Sequence, residues 1–429
     1  MFGFANFLLL ALFAAAVFDL IFALARGDGL RGALHGLWNT PHLLFGQQLA
    51  EWRLQLGRIL FAAGLAAYEI SVVFCNSMAR QNWAWVQGVM SPVLEWLAFL
   101  CFGAKILFGT RYTWRELLAG GALYFIARWV YFNSQNIWWI GIVVAVLAAK
   151  DVPLRRPLQL YFASGCAAMA VVLALHFAGI VAPDLTSERM GALRGTYGYG
   201  HPNTFGGLVF GLVLAYALLR AQKVRWVDCL LVFAVGVFLL VGPASRSAAL
   251  CTLALAVGLV FCRLRAGHSV PRWWPGTCAG MVGLTAAVSY LLPLLVIKVG
   301  PWNNDIGPAW LAKLDSLLTC RISLTWMAYR LLDVKIAGQV FNWPTVDNSF
   351  AFALFQFGPV VAALLGILFA AALWGHAKQG RRVEVCCLFA MLAYAYMEVQ
   401  PFHLTTNPTA LLLCGAVFAQ TSARWQKIE

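Results

Sequence analysis

Charge is scarce in this sequence. Asp, Glu, Lys and Arg together make up 11% of the 429 residues, whereas hydrophobic residues make up 62%. No soluble core could hide that much apolar side chain, so the composition excludes a water-soluble protein and indicates a polytopic membrane protein. The net charge of +14 does not indicate a nucleic-acid partner, because the basic residues fall in short clusters between apolar runs.

Several catalytic signatures are also missing. The sequence contains no Walker loop, no Gly-x-Ser-x-Gly turn, no His-Glu-x-x-His, no Asp-x-Asp pair and no Cys-x-x-Cys. The eleven cysteines, Cys320 excepted, lie in or at the ends of apolar runs, where Cys behaves as a small hydrophobic residue. We therefore expect no disulfide framework, no metal site and no other cofactor.

The apolar residues form about thirteen runs, which we expect to cross a lipid bilayer. A backbone exposed to lipid must satisfy its own hydrogen bonds, so each run is predicted to be helical. The first run lacks a basic leader and a cleavage site, and is predicted to be a retained span. The predicted fold class is an all-α integral membrane protein with about 12–13 transmembrane helices. The runs are 3–25, 58–77, 91–109, 116–133, 136–149, 157–182, 203–219, 226–243, 247–262, 277–299, 349–374, 384–400 and 406–421.

Basic residues divide the connectors into two alternating sets. One set carries most of the 31 Lys and Arg residues, and the positive-inside rule places it in the cytoplasm. The other set then faces outward, and its longest member joins the tenth and eleventh spans. Residues 26–57 are too polar to span and are interpreted as an interfacial helix, with the side of the N-terminus left open. The outward connectors are 183–202, 244–246, 300–348 and 401–405.

Five arginines lie on the outward side, although the positive-inside rule disfavours them there. A cation at a membrane boundary usually has an anionic partner. Four spans also begin on this side with residues typical of helix starts, and helix N-termini carry partial positive charge. Together these features favour binding of a phosphate group. The arginines are Arg189, Arg194, Arg246, Arg321 and Arg330, and the helix starts are His201-Pro202-Asn203, Ser245-Arg246-Ser247, Asp347-Asn348-Ser349 and Thr406-Asn407-Pro408.

The connector 300–348 is rich in Trp and Asp. Such Trp residues anchor a segment at the membrane interface or stack on a sugar, and both interpretations stay open. The stretch from Lys313 to Trp326 contains no Gly or Pro and is predicted to form a surface-lying amphipathic helix. Glu398, followed by Gln400 and His403, is predicted to lie at the same outward side.

Ionisable residues inside the apolar runs offer a rival account, because such groups can mark a transport path. We instead expect Lys105 and Lys298 to extend to the interface. Most of the acids, Glu69 among them, are expected to pair with neighbouring basic groups.

The arginine, histidine and carboxylate side chains at the outward side are those needed to bind a sugar carried on a lipid diphosphate and to transfer it. The diphosphate is an activated leaving group, and guanidinium groups can bind its oxygens in pairs. They also stabilise the charge that grows as the glycosidic bond breaks. One base must accept the proton of the acceptor hydroxyl.

The pattern resembles the O-antigen polymerase and ligase superfamily, and within it the Wzy-type polymerases of capsular and exopolysaccharide pathways. The resemblance covers residues 183–429, whereas residues 1–182 resemble the family in hydropathy alone. The matching pieces are Arg194 with His201-Pro202-Asn203-Thr204-Phe205-Gly206, Ser245-Arg246, Arg321 with Trp326, Asp347-Asn348-Ser349-Phe350 with Gly358, and Glu398 followed by Asn407.

This resemblance implies a metal-independent glycosyltransferase with a GT-C-like fold. Residues 1–182 would be N-terminal transmembrane helices, and 183–429 the catalytic part with loops 183–202 and 300–348. A growing glycan on undecaprenyl diphosphate would be transferred to the next lipid-linked repeat unit at the outer face of the cell membrane. Separate chain-length regulator and flippase proteins would be its partners.

The resemblance also implies roles for individual residues. Arg194 and Arg246 would hold the diphosphate, with Arg321 a third candidate and Arg189 a fourth through its spacing to Gly200. The base is either Asp347 or His201. Ligases look to have a histidine where this chain has Asp347, which favours a polymerase. Residues in the glycan or acceptor site would be Asn203, Asn348, Trp326, Glu398 and His403.

Three alternatives stand beside the polymerase. A ligase that attaches glycan to another acceptor is the nearest enzyme. A transporter or lipid-linked oligosaccharide flippase would need polar groups through the membrane depth and an internal repeat, and neither is visible. A purely structural membrane subunit would not account for outward arginines.

Overall fold

The computed structural model describes residues 2–27, 29–45, 50–181, 187–189, 192–296 and 308–418. Within them the chain consists of helices, with two small antiparallel two-stranded sheets in the connectors. The predicted all-α architecture is therefore confirmed, and the two sheets are additions to it.

The elements are numbered along the chain. Up to residue 219 they are α1 (Phe2–Ala25), α2 (Gly29–Asn39), β1 (His42–Leu43), α3 (Ala50–Cys75), α4 (Ala79–Asn82), α5 (Ser91–Phe108), β2 (Arg111–Tyr112), α6 (Trp114–Ser134), α7 (Ile137–Ala148), α8 (Arg155–Phe177), β3 (Ser187–Arg189), β4 (Ala192–Arg194) and α9 (Pro202–Leu219). From there they are α10 (Trp226–Val241), α11 (Arg246–Leu264), α12 (Trp274–Leu291), α13 (Ala309–Leu317), α14 (Arg321–Leu331), α15 (Ser349–Phe352), α16 (Pro359–Lys378), α17 (Arg382–Met397) and α18 (Cys414–Val417). Other helical turns are Val86–Met90 and Ala353–Phe357, which are π-helical, and Leu292–Leu295, Gln400–Phe402 and Pro408–Leu413, which are 3₁₀.

Among the described residues, eight helices are long and apolar enough to cross a membrane. The other five predicted runs fall on α6, on the shorter helices α7, α10 and α17, and on residues 408–417. This architecture is compatible with a polytopic membrane protein, while the number of 12–13 spans and the GT-C-like arrangement stay predictions. The eight are α1, α3, α5 with the preceding π turn, α8, α9, α11, α12 with the following 3₁₀ turn, and α16.

One compact unit consists of Met1–Arg128, Ile140–Leu208 and Ala410–Glu429. In it, α3 packs against α5 and α8. The approach of α3 to the end of α5 requires glycine, because a Cβ added at Gly57 would lie 2.8 Å from the Cα of Gly109. Small residues let helix backbones come close where van der Waals packing, rather than water, drives association.

Two buried ionisable side chains in this unit differ from expectation. Lys105 is fully buried rather than extended to the interface, and it donates to Thr110 Oγ1 at 2.5 Å and to the Lys150 carbonyl at 2.6 Å. Thr110 follows the end of α5 closely, and Lys150 follows the end of α7. Glu69 is 1% exposed and forms no ion pair among the described residues, so its expected pairing with a basic neighbour is wrong. Lys298 lies outside the described residues.

The other compact unit consists of Trp129–Trp139 and Val209–Thr409. In it, α10 and α17 pack against α11, and α12 packs against α16. The core between α10, α11, α17 and the second half of α9 contains Phe210, Leu255 and Tyr394, all of them buried. This core fixes the two ends of α11, one of which carries the candidate site.

The connector after α12 forms two helices, α13 and α14, where one was predicted. Thr319 and Cys320 separate them with left-handed φ angles of 63° and 62°. The buried Asp315 stabilises this break, because its Oδ1 accepts the N–H groups of Ile322 at 2.8 Å and Ser323 at 3.1 Å. Amides in the first turn of a helix lack partners within the helix, so a carboxylate there is favourable.

The eleventh predicted span is interrupted. After α15 and the π turn Ala353–Phe357 the helix stops at Gly358, and α16 begins at the next residue. Gly358 has φ 88° and ψ 165°, a conformation that is essentially restricted to glycine. A Cβ there would lie 2.0 Å from the Ile336 carbonyl oxygen. Gln339 N–H also donates to the Gln356 carbonyl at 3.3 Å, so the connector before α15 packs into the break.

We predict that Gly358→Ala destabilises the protein. The backbone conformation alone should cost about 1–3 kcal/mol, and the collision with Ile336 adds to it. The control is Gly366→Ala in α16, where an added Cβ meets nothing within 4 Å. Thermal unfolding of the detergent-solubilised protein should begin at a clearly lower temperature for Gly358→Ala alone. Equal behaviour of the two variants would contradict the prediction.

Candidate functional site

One arginine and two carboxylates meet beside the first turn of α11. Arg321 is the first residue of α14, Glu398 follows the last residue of α17, and Asp347 precedes the capping residue of α15. Ser247, in the first turn of α11, contacts both Arg321 and Glu398. We call these four residues the Arg321 cluster. Their contacts bring together chain segments that are 151 residues apart.

Arg321 is the centre of this cluster and is 8% exposed. Its Nη2 donates to Glu398 Oε1 at 2.5 Å and to Ser247 Oγ at 3.2 Å, and its Nη1 donates to the Leu318 carbonyl at 2.9 Å. Its Nε lies 3.9 Å from Asp347 Oδ2. Ser247 Oγ donates in turn to Glu398 Oε1 at 2.8 Å. A buried guanidinium is tolerated only when it is paired and hydrogen-bonded in this way.

Asn348 fixes the turn that carries Asp347. Its side-chain oxygen accepts from the N–H groups of Phe350 at 2.9 Å and Ala351 at 3.1 Å, so the predicted helix cap is confirmed. Its side-chain nitrogen donates to Ser289 Oγ at 3.0 Å and to the Tyr396 carbonyl at 3.1 Å. Asn348 is thus a buried residue whose hydrogen-bonding groups are engaged within the fold.

The two carboxylates differ in how far water reaches them. The Glu398 side chain is 6% exposed, and Ser349 Oγ donates to its backbone carbonyl at 2.6 Å. The Asp347 side chain is 31% exposed. Asp347 is therefore the carboxylate of the cluster that a molecule from outside can approach.

Arg246 lies next to the cluster and is exposed. It is the first residue of α11, directly before Ser247, and it forms no ion pair among the described residues. Ser245 occupies the capping position, but its side chain makes no capping hydrogen bond. The positive end of α11 and the Arg246 charge are thus both available to an anion.

The charges of this region nearly cancel. With both acids ionised, Arg246 and Arg321 balance Asp347 and Glu398. Glu398 lies beyond the end of α17, outside the eight candidate spans, and burial raises the pKa of its carboxyl to about 7 against the opposing effect of Arg321. Protonation of Glu398 would leave the region with one net positive charge. No group of three or more His, Cys, Asp or Glu side chains that could hold a metal ion occurs in the described part of the chain.

A second group of predicted site residues lies at the start of α9, in the other compact unit. Arg194 is 8% exposed, and its Nη2 donates to Asn203 Oδ1 at 2.9 Å. His201 is exposed, and its Nδ1 accepts the N–H of Asn203 at 3.1 Å. The imidazole therefore caps α9 through Nδ1. Three of the predicted residues are brought together here.

The loop before α9 is a small hairpin followed by a tight turn. Arg189 pairs with Ala192 across β3 and β4, while its side chain lies outside the described residues. Gly198 has φ +82°, and a Cβ added to it would lie 3.0 Å from His176 Cβ. Its carbonyl accepts the N–H of Met78 at 2.8 Å. This glycine is needed for packing against the protein itself.

Two further predicted residues lie in packed surroundings. Trp326 is half-buried against a cluster formed by Val296, Leu311 and Ile322. The His403 ring centroid lies 3.7 Å from that of Trp138, and burial lowers the pKa of the imidazole, which keeps it neutral. Their predicted contact with a glycan stays a prediction.

Sequence reasoning missed the serines of the site. Ser247 joins Arg321 to Glu398, and Ser349 and Ser289 hold the backbone around Asp347. The Ser-Arg-Ser order around Arg246 predicts a helix start and a phosphate-binding arginine, and it predicts no role for Ser247.

We predict that Glu398→Ala costs about 3–5 kcal/mol of unfolding free energy, because it leaves a buried guanidinium without its main partner. The control is Glu51→Ala, which removes an ion pair to Arg111 of 3.3 Å whose glutamate is 82% exposed. That change should stay within about 1 kcal/mol. Denaturant unfolding in detergent micelles measures both. Similar small losses would show that Arg321 does not depend on Glu398.

No family model, no curated protein and no solved structure matches this chain.

Proposed function

We propose that this protein is a membrane glycosyltransferase that polymerises lipid-linked oligosaccharide repeat units. A growing glycan leaves undecaprenyl diphosphate and joins the end of the next lipid-linked repeat at the outer face of the cell membrane. The bond between the anomeric carbon and the diphosphate oxygen breaks, and a bond to the acceptor oxygen forms. The acceptor proton passes to a base, and the lipid diphosphate leaves as an anion.

The observation that carries this proposal is the exposed Arg246 beside the buried Arg321 cluster. Arg246 is assigned to the diphosphate because its charge is not used within the fold. The start of α11 adds partial positive charge at the same place. A guanidinium there can bind two phosphate oxygens and stabilise the charge that develops on them.

Arg321 is given a positioning role. Its Nη2 already binds Glu398, so a diphosphate would have to compete with a bond of 2.5 Å. Its Nε faces Asp347 at 3.9 Å, and a positive charge at that distance favours the ionised carboxylate. Asp347 is assigned as the base, because a base must be ionised and reachable by the acceptor hydroxyl.

The residues at the start of α9 are assigned to the substrate as well. Arg194 stays a predicted phosphate ligand, and Asn203 Oδ1 accepts a hydrogen bond from its guanidinium. Asn348 supports the Asp347 turn, and Trp326, Glu398 and His403 complete the surroundings of the acceptor. Arg189 stays a further phosphate candidate.

We predict that Arg246→Ala lowers the rate of polymer formation by about 100-fold, the usual cost of removing one donor to a developing charge. Arg246→Lys should recover part of it, because lysine keeps the charge without the paired geometry. The matched control is Arg330→Ala, another exposed arginine, at the end of α14. Protein reconstituted in liposomes is given lipid-linked repeat units, and products are separated by length. Normal polymer from Arg246→Ala contradicts the diphosphate assignment.

We predict that Asp347→Asn lowers polymer formation by about 10²–10⁴-fold, because the amide keeps the shape of the side chain but cannot accept the proton. The control is Asp333→Asn, at an exposed position of the same connector. Binding of the lipid-linked substrate should be retained in both. If Asp347→Asn polymerises normally and His201→Gln does not, the base is His201.

The same assay distinguishes the alternatives. A series of products of increasing length supports a polymerase. A single addition to a foreign acceptor indicates a ligase. Movement of intact lipid-linked repeats across the liposome membrane without covalent change indicates a flippase.

A further inference from the structure

A cavity of about 230 Å³ lies between α1 and α2. The last two turns of α1 form one wall, α2 forms the second, and residues 40–43 form the third. The α2 wall consists largely of small residues, and a Cβ added at Gly36 would meet nothing within 4 Å. The space exists because these side chains do not fill it.

An ion pair is built into the wall of this cavity. His42 Nε2 lies 3.4 Å from Asp19 Oδ2, and both side chains are buried. Asp19 Oδ1 also accepts the N–H of Phe45 at 3.1 Å, and His42 Nδ1 lies 3.1 Å from the Thr40 carbonyl oxygen. A carbonyl can only accept, so Nδ1 carries a hydrogen. Nε2 faces the Asp19 carboxylate, so the attraction between the two side chains is strongest when the ring is protonated.

The electrostatics agree with a charged pair. Burial by itself lowers the pKa of His42, but Asp19 and the Thr40 carbonyl outweigh it and raise the pKa above its ordinary value. When His42 is protonated, its charge and that of Asp19 cancel each other. The net charge around the cavity is then determined by the other charged side chains near it.

Among the described residues, the one other charged side chain that lines the cavity is positive. Arg26 lines the cavity, is exposed, and its guanidinium carbon lies 4.4 Å from the centroid of the Phe22 ring. It forms no ion pair within the described part of the chain. Arg53 donates to the Leu44 carbonyl at 2.6 Å, beside β1, and contributes a second positive charge nearby. An anion entering this space meets an excess of positive charge.

We propose that the cavity between α1 and α2 binds a phosphate-bearing group. Its volume is below the roughly 300–1,000 Å³ of sites for drug-sized ligands, so it fits a head group and not a whole lipid-linked sugar. Arg26 follows directly on the candidate span Asn6–Ala25, at the level where lipid head groups lie. The phosphate is that of a membrane lipid or of a small soluble ester, and Arg26 is its main ligand.

The test uses the full-length protein in detergent and native mass spectrometry. The probes are a short-chain phosphatidic acid, phosphatidylcholine of the same chain length, and inorganic phosphate. Arg26→Gln removes the ligand at an exposed position, and Gly36→Leu fills the cavity. Gly280→Leu is the control, because a Cβ at Gly280 in α12 also meets nothing within 4 Å. All variants are compared with the parent protein.

We expect phosphatidic acid to bind more tightly than phosphatidylcholine, and its Kd to rise about tenfold in Arg26→Gln, equivalent to about 1.4 kcal/mol. Gly36→Leu should lose binding as well, whereas Gly280→Leu should retain it. Binding of inorganic phosphate with the same dependence on Arg26 points to a soluble ester as the source, and binding of the lipid alone points to a head group.

Kd values that are unchanged in Arg26→Gln for every probe would overturn the proposal, and so would failure of all three probes to bind. If Gly36→Leu does not fold, Arg26→Gln decides the matter alone. Neither Arg26 nor Gly36 is assigned to glycan polymerisation. The test of this site and the test of the polymerase proposal are therefore independent.

Discussion

A buried positive charge must be neutralised where it lies, and this requirement organises the unit that contains Arg321. The guanidinium is reached by Glu398 from the end of α17, by Ser247 from the start of α11 and by Asp347 from the turn before α15. Removing water from a charge costs several kcal/mol, which these partners must offset together. The ends of three helices and the connector α13–α14 are therefore fixed relative to one another by one side chain.

This arrangement separates two functions of arginine in the same region. Arg321 is buried and forms its hydrogen bonds within the protein, whereas Arg246, the residue before Ser247, is exposed. From the sequence the two arginines are predicted to have the same role, because both lie near the ends of predicted spans. Their difference comes from a carboxylate 77 residues away from Arg321, which no local pattern could indicate.

Local signals were nonetheless informative. Long apolar runs predicted helices, and the Asp347-Asn348-Ser349 sequence predicted the start of α15 with the correct capping residue. Both follow from backbone hydrogen bonding within a few residues. The break between α13 and α14 could not be predicted this way, because it depends on Asp315 Oδ1, which accepts hydrogen bonds from the backbone of Ile322 and Ser323 in the next helix. Likewise, Lys105 was placed at the interface, although a neighbouring carbonyl and hydroxyl satisfy it in the interior.

The interruption at Gly358 has a consequence for the length of the connector before it. A helix that stops within an apolar layer leaves backbone carbonyls that lipid cannot satisfy. The connector supplies a donor to one of them, through the N–H of Gln339 to the carbonyl of Gln356, and Gly338 and Gly358 allow the two backbones to touch. The residues from Leu332 to Gln339 must therefore reach from the end of α14 to this crossing, so shortening the connector would pull the donor away from the break.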